Sequence, residues 1–147
     1  MVEIKTFVPA DLDWFIPTEA EHLGSADWRS AARNGASFGP AWTAWIDGRA
    51  VACGGIATLW RGRGQAWCLL ARGIPKWAWI GIHRAAVVRL QEAGRRGTWR
   101  IEAEALADYA PAVRWLEMLG FTRECLSRRY GPNGEDFYRY AIVQVPT

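Results

Sequence analysis

The chain predicts an α/β fold organised on one mixed β-sheet, and three observations carry that prediction. Runs of two-residue alternation, the signature of strands, recur along its 147 residues. One long helical pattern, Pro75 to Gly94, separates the apolar run Ala66–Ala71 from the alternating run Arg100–Leu106. Hairpin signals, Asp47-Gly48 and Asn133-Gly134, join other extended runs directly. The resulting order is β-α-α-β-β-β-α-β-α-β-β, a central mixed sheet flanked by helices in a single domain over residues 1–147.

In chain order, Val2, Ile4, Thr6 and Val8 alternate with Glu3, Lys5 and Phe7 as a first strand. Pro9 and Asp11 to Asp13 open a helix with an apolar stripe of Leu12, Phe15 and Ile16, interrupted at Pro17. A second helix is expected from Ala26 to about Arg33, stopped by Asn34-Gly35. Ala41 to Ile46 and Val51 to Trp60 flank the Asp47-Gly48 turn, and Gly54-Gly55 marks a bulge or a close backbone approach. Arg61 to Gly64 is a second turn, and Ala66–Ala71 is a strand buried on both faces. The long helix is expected to bury Ile80, His83, Val87, Leu90 and Gly94. Arg100, Glu102 and Glu104 then alternate with Ile101, Ala103 and Ala105. Val113, Leu116 and Leu119 form one side of a short helix, with Asp108 as its cap, Pro111 in its first turn and Gly120 as its stop. Strands Glu124 to Tyr130 and Asp136 to Val143 complete the order.

Composition removes several classes of function. No charge-free apolar run approaches the roughly 20 residues of a membrane helix, and the N-terminus carries acids early without an apolar signal core. Cys53, Cys68 and Cys125 are odd in number and far apart, which suits reduced thiols in the cytoplasm. The two histidines, His22 and His83, have no metal-ligand spacing, so no metal is expected. A net charge of +3 favours an acidic ligand without demanding nucleic acid. Ten tryptophans are the compositional oddity. Serving as one solvent-facing platform would require several of Trp42, Trp45, Trp60 and Trp67 to be exposed together, and strand alternation buries at least half of them.

The stretch Arg100–Phe121, with Ala112, Trp115-Leu116 and Leu119-Gly120-Phe121, resembles the strand-and-helix segment of the GCN5-related N-acetyltransferase (GNAT) superfamily, and the element order extends that resemblance over nearly the whole chain. The resemblance implies acetyl-CoA as co-substrate and an amine, on a small molecule or a protein, as acceptor; a homodimer is left open, and nucleic acid and membrane are not expected partners. Arg114-Trp115-Leu116, the Trp-rich loop and the turn from Gly131 to Gly134 also resemble a phage-encoded GNAT-like group related to internal virion protein A. That resemblance implies a phage or prophage origin, residence in the bacterial host cytoplasm, and a scaffold role in virion assembly or host interaction in which the chemistry is lost.

Acetyl transfer needs donors for a pyrophosphate at a helix N-terminus, and groups that take a proton from the amine and return one to the thiolate. Arg61-Gly62-Arg63-Gly64-Gln65-Ala66 fits the family's phosphate-loop pattern literally, but it stands 60 positions before Phe121 and is followed by residues unsuited to a helix. A glycine hairpin is the plainer account. The better-placed loop begins at Arg72-Gly73, where the resemblance implies cofactor contacts by Arg72, Gly73, Trp79 and Gly81, with the pantetheine arm along the backbone of Leu69, Leu70 and Ala71. The family's middle glycine is missing there, and Lys76, Trp77 and Trp79 fill the interval.

For proton transfer, Glu102 and Glu104 share one face of a mid-sheet strand. Either a cation such as Arg100 or Arg139 pairs them, or Glu104 is a base whose pKa is raised by its neighbour and its surroundings. Tyr109 stands where the family often has Asn and is a candidate acid, or else a packed loop tyrosine. His83 is a core histidine or a group beside the bound ligand.

Overall fold

The computed structural model describes residues 1–18 and 27–144. Seven strands form one sheet: β1 (Val2–Thr6), β2 (Ala41–Ile46), β3 (Arg49–Trp60), β4 (Arg63–Leu70), β5 (Arg100–Leu106), β6 (Thr122–Ser127) and β7 (Phe137–Val143). Their spatial order is β1-β2-β3-β4-β5-β7-β6, antiparallel throughout except for the β4–β5 pair. The helices are α1 (Asp27–Ser37), α2 (Lys76–Arg95) and α3 (Ala110–Met118). The segment Pro9–Trp14 is a 3-10 helix.

Two layers cover the sheet. On one face Phe7, Leu12, Trp28, Ala32, Ala41, Cys53 and Leu69 bring α1 and the 3-10 helix onto the sheet's first half. On the other, Leu90 of α2, Val113 and Leu116 of α3 and Leu119 at its C-cap close over Ile56, Ile101, Ala103, Ala105 and Tyr140. A neighbouring cluster on that second face joins Ala44 and Ala52 to Ile82 of α2.

Local turn chemistry behaves as its residues require. Asp47 and Gly48 both take positive φ (49° and 77°), the geometry that matches a two-residue hairpin to strand twist. Gly120, at φ 101°, stops α3, and Phe121 turns back into the core. Gly54 and Gly55 mark close approach, since a Cβ at Gly54 would lie 2.7 Å from the Trp67 carbonyl oxygen and one at Gly55 2.5 Å from that of Pro40. Arg61-Gly62 is a two-residue turn with strand resuming at Arg63, so the glycine-rich Arg61–Ala66 motif is hairpin and strand.

Several expectations are corrected. The first helix is a short 3-10 turn: the buried Asp11 carboxylate accepts from Val8 N–H (3.0 Å) and Thr43 Oγ1 (2.7 Å), while Ile16 is 71% exposed. The second helix runs through Asn34-Gly35 to Ser37, and its expected start at Ala26 lies outside the described residues. Helix α2 buries Ala78, Ile82 and Leu90, leaving Ile80 58% exposed. With apolar residues on every side of this helix, the small Ala78 and the close approach of Gly81 to Val2 set its rotation. Tyr109, with no side-chain cap bond, takes the cap position expected of Asp108. Strand β6 ends at Ser127, short of Tyr130.

Candidate active site

The parallel ladder between β4 and β5 has three pairs, Arg63–Arg100, Gly64–Ile101 and Gln65–Glu102, and then stops. Beyond it, β4 stays paired to β3 as far as Leu70, and β5 stays paired to β7 as far as Leu106. Each strand follows its antiparallel partner and the two diverge. The parting opens toward the C-terminal ends of the strands, where α2 and α3 begin.

At the head of α2, Pro75 is the N-cap and no acid occupies the first turn. Lys76 adds a cation to the positive end of the helix dipole, an arrangement that suits an anion. Gly73 takes a positive φ of 74° in the preceding loop, with open space where a side chain would stand. Trp77 is turned outward, 51% exposed, so it does not fill the interval as expected. Trp79 turns inward. A shallow cavity touching Phe15, Val51, Arg72 and Ile74 lies on the β2–β3 side of this loop, away from the parting.

The expected cofactor residues divide by direction. Ala71 N–H donates to Val51 (2.8 Å), and Leu69 is opposite Cys53; ladder alternation therefore turns the main-chain groups of both toward β3. Of the three, Leu70 faces the parting, and its carbonyl accepts from Thr18 N–H (2.9 Å). Gly81 faces Val2 of β1, where a Cβ would meet Val2 at 3.1 Å, so its smallness serves helix-to-sheet contact.

Because Ile101, Ala103 and Ala105 pack toward α2 and α3, Glu102 and Glu104 stand on the opposite face. Glu102 is buried, and its carboxylate accepts from Arg63 Nε (2.8 Å) and Nη2 (2.6 Å) and from Arg100 Nε (2.8 Å). Burial pushes this carboxyl upward, but the bonds from Arg63 and Arg100 outweigh it and hold the group below the usual carboxylate range. Arg100 continues the chain of charges to Glu124.

Glu104, two residues past the last β4–β5 pair, accepts from Tyr130 Oη (2.7 Å) and Arg139 Nη2 (3.3 Å), both on Oε1. Both carboxylates are thus paired with cations, Glu102 with Arg63 and Arg100 and Glu104 with Arg139, the pairing account weighed from the sequence. Burial and the neighbouring Glu104 charge push the Tyr130 phenol up, keeping it a proton donor. Tyr109 is 44% exposed at the start of α3.

Sequence reasoning missed Arg63 and Tyr130. Arg63 sat in an expected turn and Tyr130 at the end of an expected strand; Arg63 stands opposite Arg100 in the parallel β4–β5 ladder, and Tyr130 lies on the turn between β6 and β7. It also missed that Trp115 Nε1–H donates to His83 Nδ1 (3.2 Å). Among the described residues no group of His, Cys, Asp and Glu could hold a metal ion, and no helix is long and apolar enough to cross a membrane. None of the three cysteines is disulfide-bonded.

This mixed sheet flanked by helices matches the GNAT-like fold of solved acetyltransferases. The ribosomal-protein-S18-alanine N-acetyltransferase of Escherichia coli matches with a TM-score of 0.73 and 20% identity, over 100% of this chain and 97% of that one. Ard1 from Thermoplasma volcanium matches at 0.77 and 13% identity, over 99% of both chains. A Bacillus subtilis acetyltransferase in complex with CoA matches at 0.74 and 9% identity, over 99% of this chain and 100% of that one. At these identities the likeness is one of fold. No protein-family model matches the chain, and no curated protein matches it in sequence.

Proposed function

We propose that the protein is an acyl-CoA-dependent N-acetyltransferase acting on an amine of a small molecule or a protein. The observation that carries this is the parting of β4 from β5 after Gln65–Glu102, at the end of the sheet where α2 presents its N-terminus. An extended pantetheine arm can take the place of the missing ladder, and Lys76 with the first amides of α2 suits its pyrophosphate. When bound, acetyl-CoA supplies the activated acetyl thioester.

The chain's own residues supply positioning and proton transfer. Glu104 lies on the face opposite α2 and α3, so the amine approaches from the side away from the donor. There Glu104 takes the ammonium proton, directly or through water, and the nitrogen lone pair is released for the acyl carbon. Tyr130 and Arg139 fix the rotamer of Glu104. Tyr109, at the head of α3, gives a proton to the departing thiolate as the C–N bond forms and the C–S bond breaks, and the second proton, shed by the acylated nitrogen, returns through water to its phenolate. Glu102, locked between two arginines, aligns β5.

The test is a thermal melt with acetyl-CoA alongside thiol release with amine acceptors. Ligand at 100 times its dissociation constant stabilises the fold by about 2.7 kcal/mol. A rise in melting temperature together with amine-dependent thiol release is the expected result.

A second reading keeps the scaffold and drops the chemistry. It is favoured by the edge-on contact of Trp79 and Trp115, which joins the two helices flanking the parting. The likeness to the phage-encoded group rests on sequence segments alone. Absence of any shift at millimolar acetyl-CoA would leave this second reading standing.

A further inference from the structure

Trp115 belongs to α3, which follows β5, yet it packs against the cluster of Ala44, Ala52 and Ile82, on the β4 side of the parting. Leu70 at the end of β4, Ile74 in the next loop and Trp79 pack against the same cluster. The indole therefore reaches across the parted strands on the face covered by α2 and α3. Two directed contacts hold it. Its ring meets Trp79 edge-on, with centroids 5.8 Å apart and planes at 76°. Its Nε1–H donates to Nδ1 of His83, one turn further along α2, at 3.2 Å. An accepting Nδ1 requires an imidazole without a proton on that nitrogen.

We propose that Trp115, held by Trp79 and His83, is the gate of the donor slot and sets the affinity for the donor. This rests on the transferase reading above. A half-buried indole held against Trp79 and His83 and a pantetheine arm cannot share one space. The arm enters when Trp115 leaves both partners, and the free energy of that separation is subtracted from donor binding, as for any ligand whose competent state is a fraction of the whole. Trp79 and Trp115 are then determinants of donor affinity, distinct from Glu104 on the other face.

The experiment is calorimetric titration of CoA into the full chain and two variants, with the wild-type titration repeated by NMR on the indole N–H signals. Trp115→Leu removes the bridging ring and keeps an apolar side chain. His83→Phe keeps a ring of similar size and removes the acceptor, and serves as well if the first variant folds poorly. The expected result is CoA binding tightened about tenfold in Trp115→Leu and by a smaller factor in His83→Phe. In the wild type, the Trp115 indole N–H signal moves on saturation. Equal or weaker CoA affinity in the variants, or an unmoved Trp115 signal at saturation, overturns the gate and leaves the transferase reading intact. Failure of all three proteins to bind CoA overturns the transferase reading and the gate with it.

Discussion

Glu102 sits with almost no solvent contact between the guanidinium groups of Arg63 and Arg100, and this geometry fixes its charge. Its folded-state pKa is below the unfolded one, so the unfolded chain binds the proton more readily. The stabilisation is complete above the ordinary carboxylate value of 4.5 and is lost as pH falls through and below it. Glu124, held low chiefly by its bond from Arg100, acts in the same direction. Glu102→Ala takes the buried carboxylate from both arginines, leaving Arg100 to Glu124 and Arg63 to the Trp60 ring, and should cost on the order of 3 kcal/mol at neutral pH. Melts over an acid series should show less acid sensitivity in this variant than in the wild type; an equal slope would mean that other carboxylates govern acid unfolding. Glu104 calls for a different measurement, because on the transferase reading its role is chemical. Glu104→Gln should leave donor binding unchanged and lower kcat by roughly a hundredfold or more; unchanged turnover would discard the assignment.

Helix α1 shows how an element is fitted to its neighbour. Asn34-Gly35 looks like a helix stop in isolation, yet the helix continues because Gly35 lies where the Trp67 indole crosses it. A Cβ there would stand 2.6 Å from Trp67 Nε1. On an exposed helix face, Gly→Ala gains about 1 kcal/mol. Here overpacking against a rigid ring outweighs that gain, and Gly35→Ala should lower stability by about 1 kcal/mol in denaturant titration. A stabilised variant would show that the ring relaxes without cost. Helix α2 shows the converse: Ile80 and Trp77 are apolar but face outward, because Ala78 and Gly81 permit the closest approach to the sheet.

Over the whole molecule, the sheet's two halves are each antiparallel and joined by three parallel pairs. Twist accumulates in each half, and the weakly joined pair is where they separate. Hydrogen exchange should register this: acetyl-CoA should slow exchange along the facing edges of β4 and β5 beyond Gln65 and Glu102, with little change before that pair. Uniform slowing over the sheet, or none at these edges, would count against a donor in the parting.

What could be read directly from the residues was what is decided locally. Asp47-Gly48, Gly120 and Pro111 impose their backbone geometry wherever they stand, and alternation in Arg100–Leu106 marks a strand before its neighbours are known. That is why all seven strands and the long helix fall in the expected order. The candidate site was legible in part: Glu102 and Glu104 stood out as mid-strand acids, and Arg100 and Arg139 were foreseen as partners. Tertiary structure alone decided which cation meets which acid, which side of α2 is buried, and that Trp115 crosses to His83. Arg63 and Glu102 are 39 residues apart, Tyr130 and Glu104 26, and Trp115 and His83 32. Such contacts depend on strand order and helix rotation, which follow from packing the whole chain at once and leave no periodic trace in any short segment.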